Sequence, residues 1–251
     1  MKRRHYAWIG AGLGAAGLLL LSGAVFAQSL PLITSGAGKG GTTYSIPVQT
    51  VIALTALSIL PAALMLMTSF TRILIVFSLL RQALGLQSMP PNMVLIGLSF
   101  FLTLFVMNPT FEAIYQDAYL PYTQQKISFE KAVEVGTKPI KSFMLKQTRQ
   151  EDLAVFVKLY DKPIEAKEDV PMTVLIPAFA ISEIKTGFLI GFMIYLPFIA
   201  IDFAVASILT SLGMVMISPM MFSLPLKLVI FALADGWALL AASLIESYRI
   251  F

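Results

Sequence analysis

Charge is distributed so unevenly along this chain that few folds remain open to it. About 19 of its 32 Asp, Glu, Lys and Arg residues lie between Glu112 and Asp169, and the flanking sequence is nearly free of ionised side chains. Residues 46–70 and 91–111 carry no charge at all. At about 1.5 Å of rise per residue each run, as a helix, crosses a hydrocarbon core of about 30 Å. With 57% apolar residues, 13% charged residues and a mean hydropathy of +0.82, the chain lies outside the soluble globular range, so a bilayer or a large apolar partner must cover it. The sequence therefore predicts an all-α, polytopic integral membrane protein with a charged helical insertion.

Five regions follow. Lys2, Arg3 and Arg4 precede an apolar run from Tyr6 to Leu21 and the small-residue stretch Ser22-Gly23-Ala24-Val25-Phe26-Ala27, which reads as a cleavable signal peptide over residues 1–27 with Gln28 as the new terminus. Residues 28–45, rich in Gly, Ser and Thr, read as a flexible extracytoplasmic tail. Within it Gly36-Ala37-Gly38-Lys39-Gly40-Gly41-Thr42-Thr43 mimics a phosphate loop but fails, because Gly40 stands where Ser or Thr should hold magnesium and Ile33 where the leading glycine should be. Residues 46–111 form an N-terminal apolar helical region. Its short connection holds Arg72 and Arg81 beside Thr71, Ser78, Gln82 and Gly85, and it is cytoplasmic if Gln28 is outside. Residues 112–169 form the insertion, and residues 170–251 a second apolar helical region.

In the insertion, Ile140, Phe143 and Met144, then Leu153, Phe156, Val157 and Tyr160, repeat at helical spacing, predicting two amphipathic helices between Pro139 and Pro163. Their stripes pack on each other or, through Phe143 and Phe156, on a neighbouring subunit.

The side-chain inventory removes most chemistry. There is no cysteine, and the only histidine, His5, lies in the predicted signal peptide. Without thiolate or imidazole there is no such nucleophile or base and no structural zinc set. No enzyme activity and no cofactor are expected. Loss of Lys2, Arg3 and Arg4 leaves the chain close to neutral, which gives a nucleic-acid role no support.

In the C-terminal region Glu183, Lys185, Asp202, Lys227 and Asp235 punctuate apolar sequence, and Pro177, Pro197, Pro219 and Pro225 interrupt it. A charge facing lipid is costly, so these residues should face protein, a partner subunit or a water-filled path, and helices broken at the prolines are expected. Glu183 and Lys227 are predicted to pair, between neighbouring copies. Asp202 is expected to meet a basic group from a partner, and Asp235 either a partner or a donor in its own chain. Two other readings remain: an ion-coupled transporter relaying through Glu183, Asp202 and Asp235, and an intramembrane hydrolase using Ser182 and Lys185. No internal repeat supports the first, and no further motif the second.

Pro177-Ala178-Phe179-Ala180-Ile181-Ser182-Glu183-Ile184-Lys185-Thr186-Gly187-Phe188 resembles the signature of the FliP family of flagellar and type III secretion export-gate proteins. Pro225-Leu226-Lys227-Leu228-Val229-Ile230-Phe231-Ala232-Leu233-Ala234-Asp235-Gly236-Trp237 is similar to its C-terminal motif, and Met67-Thr68-Ser69-Phe70-Thr71-Arg72-Ile73 with Arg81, Ala83-Leu84-Gly85 and Pro90-Pro91-Asn92 to its N-terminal core. The resemblance runs from about Ser45 to the C-terminus. Leu189 and Leu226 depart from the family pattern, and neither removes a charged position. The signal peptide and the long insertion look like the flagellar branch rather than the injectisome branch.

The resemblance implies a subunit that assembles with copies of itself and with FliQ and FliR into a helical export gate of the bacterial inner membrane and flagellar basal body. That gate passes unfolded flagellar proteins delivered by FlhA, FlhB and an ATPase, with membrane lipid as the other neighbour. It also implies a gate at Met214, Val215 and Met216, continued by Met220 and Met221, where unbranched, polarizable side chains close around a small aperture. Val215 interrupts what is often an unbroken methionine run.

Overall fold

The computed structural model describes residues 34–36, 43–45, 54–55, 57–58, 62, 65–160, 164, 166–214 and 216–248. The predicted signal peptide, most of the tail and of the 46–64 run, and Val215 lie outside them. The chain divides into two units, Met1–Pro61 and Ala62–Phe251. In the first, β1 (Thr34–Gly36) pairs antiparallel with β2 (Thr43–Ser45) in the register Thr34 to Ser45, where the sequence predicts a featureless tail.

The second unit is helical, as expected. Helix α1 (Phe70–Ala83) leads through a loop to α2, which runs over Asn92–Thr123 with a π turn at Tyr115–Tyr119. Helices α3 (Phe129–Gln147) and α4 (Gln150–Lys158) make up the insertion. They are followed by α5 (Met172–Ser211), α6 (Met220–Leu233) and α7 (Gly236–Ser247). Helices α2 and α5 are long and apolar enough to cross a membrane, and α6 with α7, bent by 64° at their junction, is a possible third span.

Three boundaries differ from expectation. Helix α2 continues past the apolar run through Glu112 and Asp117, because charge ends a hydrophobic run without ending the backbone hydrogen bonding of a helix. Helix α3 begins not at Pro139 but at Ser128, whose side chain accepts a hydrogen bond from the Lys131 amide and so satisfies one of the unpaired N–H groups of the first turn. Pro139 sits inside the helix. Likewise Pro177 and Pro197 do not break α5, which is continuous over 40 residues. Of the four prolines expected to break helices, Pro219 marks a boundary, at the N-cap of α6, while Pro225 lies inside that helix.

Two cores hold the unit together. On α1 the residues Ile73, Val76, Phe77, Leu80 and Ala83 recur at three- and four-residue spacing and pack against Leu95, Phe198, Leu240, Leu244 and Tyr248. In the second core Met144, Leu145 and Leu153 of the insertion pack on Val170, Val174, Leu175, Ala178 and Phe179 at the start of α5. Phe143 and Phe156, read as packing locally or on a neighbouring subunit, are partly buried against their own chain. The Phe143 ring lies between Phe179 at 5.9 Å and Tyr248 at 6.2 Å.

Helix α1 makes its most extensive contact with α5. Gly187 and Gly191 permit it: a Cβ on Gly191 would lie 2.2 Å from Leu79 Cδ1 and 2.9 Å from Leu79 Cβ, and one on Gly187 3.2 Å from Ile75 Cγ2. Where lipid tails are as apolar as the side chains, close packing rather than escape from water binds helices, and small residues four apart let two backbones approach.

Candidate functional site

Ser182, Glu183 and Lys185 of α5 bind three different elements. The Ser182 hydroxyl accepts from the Arg149 amide at 2.9 Å, fixing the turn between α3 and α4. Lys185 pairs with Asp152 of α4, whose second carboxylate oxygen is buried without a partner. Glu183, fully buried, pairs with Arg72 of α1, itself 2% exposed. The Arg72 guanidinium lies 4.0 Å over the Tyr248 ring and also reaches Ser247 Oγ at 3.3 Å and Gln147 Oε1 at 3.4 Å. Tyr248 Oη lies 2.7 Å from Glu183 Oε2 and 3.2 Å from Ser69 O, and Gln147 Nε2 donates to Tyr248 O at 3.1 Å. With one proton to give, the phenol favours the shorter contact to the charged oxygen. Burial pushes the Tyr248 phenol well up, and the Glu183 carboxylate adds to the shift, so it remains a donor.

This network bears on three expectations. Arg72 is not in a solvated connection: it starts the inward stripe of α1 that continues through Val76, Leu80 and Ala83. Glu183 therefore finds its cation within the chain, at Arg72, where a pair with Lys227 of a neighbouring copy was expected. Nor do Ser182 and Lys185 face a common substrate, since each is engaged by the insertion. Such a buried pair resists one-sided loss, because removing one partner strands the other in a low-dielectric interior.

Lys227 of α6 makes a separate joint. Its ammonium donates to Ala83 O, the last residue of α1, at 3.1 Å and to Asp202 Oδ2 of α5 at 2.6 Å. Asp202 thus takes its basic partner from its own chain rather than from another copy. Lys227 is buried and Asp202 half-exposed, and a cation at a helix C-terminus also meets the negative end of the helix dipole. Asp235 is exposed and makes no side-chain cap hydrogen bond. It occupies the left-handed region at φ 48° and forms the corner between α6 and α7. Gly236 beside it is needed for packing, because a Cβ there would meet the Phe231 ring at 2.2 Å. Phe231 stacks edge-on against Trp237 at 5.5 Å, which holds the corner.

The methionine segment is the opposite of a core. Helix α5 ends at Ser211, Gly213 turns the chain at φ +76°, and α6 starts at Met220. Met214, Met216, Met220 and Met221 are all exposed, Met216 at 98%, and Leu212, Ile217 and Phe222 are bare beside them. Nothing among the described residues covers this apolar cluster. Next to it the α1–α2 loop contributes Gly85 to Met89 to one side of a cavity of about 350 Å³, while Ser218, Met220, Met221 and Leu224 form the other. Arg81 stiffens that loop by donating to Pro90 O at 3.1 Å and Asn92 Oδ1 at 2.6 Å.

Sequence reasoning missed Gly191, Asp152, Gln147, Ser247 and Tyr248. Gly191 was detectable as the second glycine of a four-residue spacing in an apolar helix. The others carry no local signal, since their importance arises from elements distant in sequence.

Comparison with known proteins gives concordant matches. The FliP family model matches residues 53–244. A flagellar biosynthetic protein FliP from Pectobacterium carotovorum subsp. carotovorum is 52% identical over 235 residues, covering 93% of this chain and 91% of that protein. One from Bacillus subtilis is 52% identical over 206 residues, covering 81% and 93%. One from Buchnera aphidicola subsp. Acyrthosiphon pisum is 53% identical over 211 residues, covering 84% of this chain and 56% of that protein, so the chain spans about half the length of that relative.

Proposed function

The chain belongs to the FliP family, and we propose that it is a core subunit of the flagellar type III protein-export gate, assembling with further copies of itself and with FliQ and FliR in the bacterial inner membrane at the flagellar basal body. The observation that carries this is the family match across nearly the whole helical unit, including both signature segments. The chain is a component of the flagellar export apparatus, and its apolar helices suit a membrane setting. The finer reading is that the assembled subunits form the channel for unfolded flagellar proteins handed on by FlhB and FlhA.

The bare face of the molecule supports that reading. Helices α2 and α5 leave Phe100, Phe101, Phe105, Phe188, Phe192 and Phe203 exposed, and so many bare aromatic rings call for a bilayer or other subunits over them. The exposed cluster of Met214, Met216, Met220 and Met221 supports a gate, with Val215 in its centre by sequence. Flexible thioethers close an aperture yet adapt to varied polypeptide. Asp235 and the half-exposed Asp202 remain accessible for contacts between subunits.

The test is the composition and conductance of the detergent-extracted complex. Tagged chain should bring down FliQ and FliR in fixed proportion, and recovery as a monomer without them counts against the proposal. The double variant Met214→Ala/Met216→Ala should assemble and raise ion leakage. Wild-type conductance in that assembled variant removes the gate from this segment.

A further inference from the structure

Resting on the gate at Met214 to Met221, we infer that Lys227 is its positioning residue: it ties the end of α1 and Asp202 of α5 to α6, and so sets the α1–α2 loop, with Met89, as a second wall beside the methionine loop.

Three observations converge on this. Lys227 Nζ joins three helices at one point, donating to the terminal carbonyl of α1 and to the α5 carboxylate. Ala83 immediately precedes the α1–α2 loop, and Asp202 lies about two and a half turns before the end of α5 at Ser211, on the stretch that leads to the methionine loop. Beyond the joint the two loops share one cavity, in which Met89 from the first faces the same space as Met220 and Met221 from the second. Gly85, at φ +80°, turns the first loop toward α6, and a Cβ placed on it would be 3.8 Å from Leu224 Cδ1. Arg81 then fixes the far side of that loop through Pro90 and Asn92. A loop pinned at both ends moves with what pins it, so the methionine loop and the Met89 loop shift as one body. Met89 is itself 63% exposed and, like the gate methionines, has no cover among the described residues.

Lys227 touches nothing in transit. Its effect is on where two apolar loops stand, and the chemistry that meets them is an extended polypeptide presenting apolar side chains.

Ion leakage is measured in the assembled complex for Lys227→Gln and Lys227→Arg. Lys227→Gln should raise leakage several-fold, and Lys227→Arg should restore most of the seal. Wild-type leakage in assembled Lys227→Gln, alongside leaky Met214→Ala/Met216→Ala, overturns the positioning role and leaves the gate standing. If neither leaks, the gate reading fails and this inference with it. Leakage in Lys227→Arg equal to that in Lys227→Gln also overturns the positioning role. Where Lys227→Gln does not assemble, Asp202→Asn, which keeps shape and removes charge at a half-exposed site, is read by the same criteria.

Discussion

Two regions of α5 are solved in opposite ways. Around Ser182 to Lys185 the helix is enclosed by α1, α3, α4 and Tyr248, and the buried carboxylate, guanidinium, phenol and amide find partners in the same chain, apart from Arg72 Nε and one Asp152 oxygen. Past Asp202 the helix buries Leu209 but leaves Phe203 and Ile208 exposed, and beyond its end Leu212, Met214 and Met216 are exposed too. The first region is complete in one subunit, while the second has the composition of an interior and the exposure of a surface. Substitutions in the first should therefore act on the chain itself, and substitutions in the second only on what the chain joins.

The largest effect expected is from Glu183→Ala, which strands Arg72 and should destabilise the extracted protein by about 3–5 kcal/mol, read as a fall in thermal midpoint and in yield. The double variant Arg72→Met/Glu183→Leu should be milder than Glu183→Ala, because two apolar side chains leave no unpaired charge. If it is worse, the network contributes more than charge compensation.

Next come the close approaches. Gly191→Ala drives a methyl group into Leu79, and Gly236→Ala drives one into a Phe231 ring already held by Trp237. Each should cost about 1–3 kcal/mol as overpacking, and protease resistance of the extracted chain would register it. Wild-type resistance in both would mean that the α1–α5 and α6–α7 contacts are looser than these distances imply.

A smaller effect is expected at Lys185→Met. Lys185 is more than half exposed, which screens the pair, but Asp152 is buried and would lose its ionic partner, so the change should be about 1–2 kcal/mol. Smallest is Met216→Ser, which should leave stability within about 0.5 kcal/mol while altering leakage or export. Should Met216→Ser unfold the chain as Glu183→Ala does, the contrast between the two regions is wrong.

Hydropathy made the helical class legible, because long uncharged runs admit few alternatives. It also located the residues that matter, since Glu183, Lys185, Asp202 and Lys227 are conspicuous in apolar sequence. Their pairing was not legible. Arg72 follows an apolar run and reads as its polar end, and only the inward phase of α1 reveals it as buried. Proline misled in the other direction: a proline in an apolar stretch suggests a break, yet Pro177 and Pro197 sit within one helix whose remaining bonds and packing carry the turn. The extent of α2 was hidden because charge ended the apolar run but not the helix. The exposure of the methionines was not readable either, as composition alone would place them in a core.

The continuity of α5 has a mechanical consequence. Forty residues of unbroken helix make a rod about 60 Å long at 1.5 Å per residue, roughly twice the thickness of a hydrocarbon layer. One end is gripped by the charged insertion and the other carries the methionine turn. A push or tilt applied to the insertion is thus delivered along the rod as displacement at the turn, with α1, seated on Gly187 and Gly191, as the fulcrum.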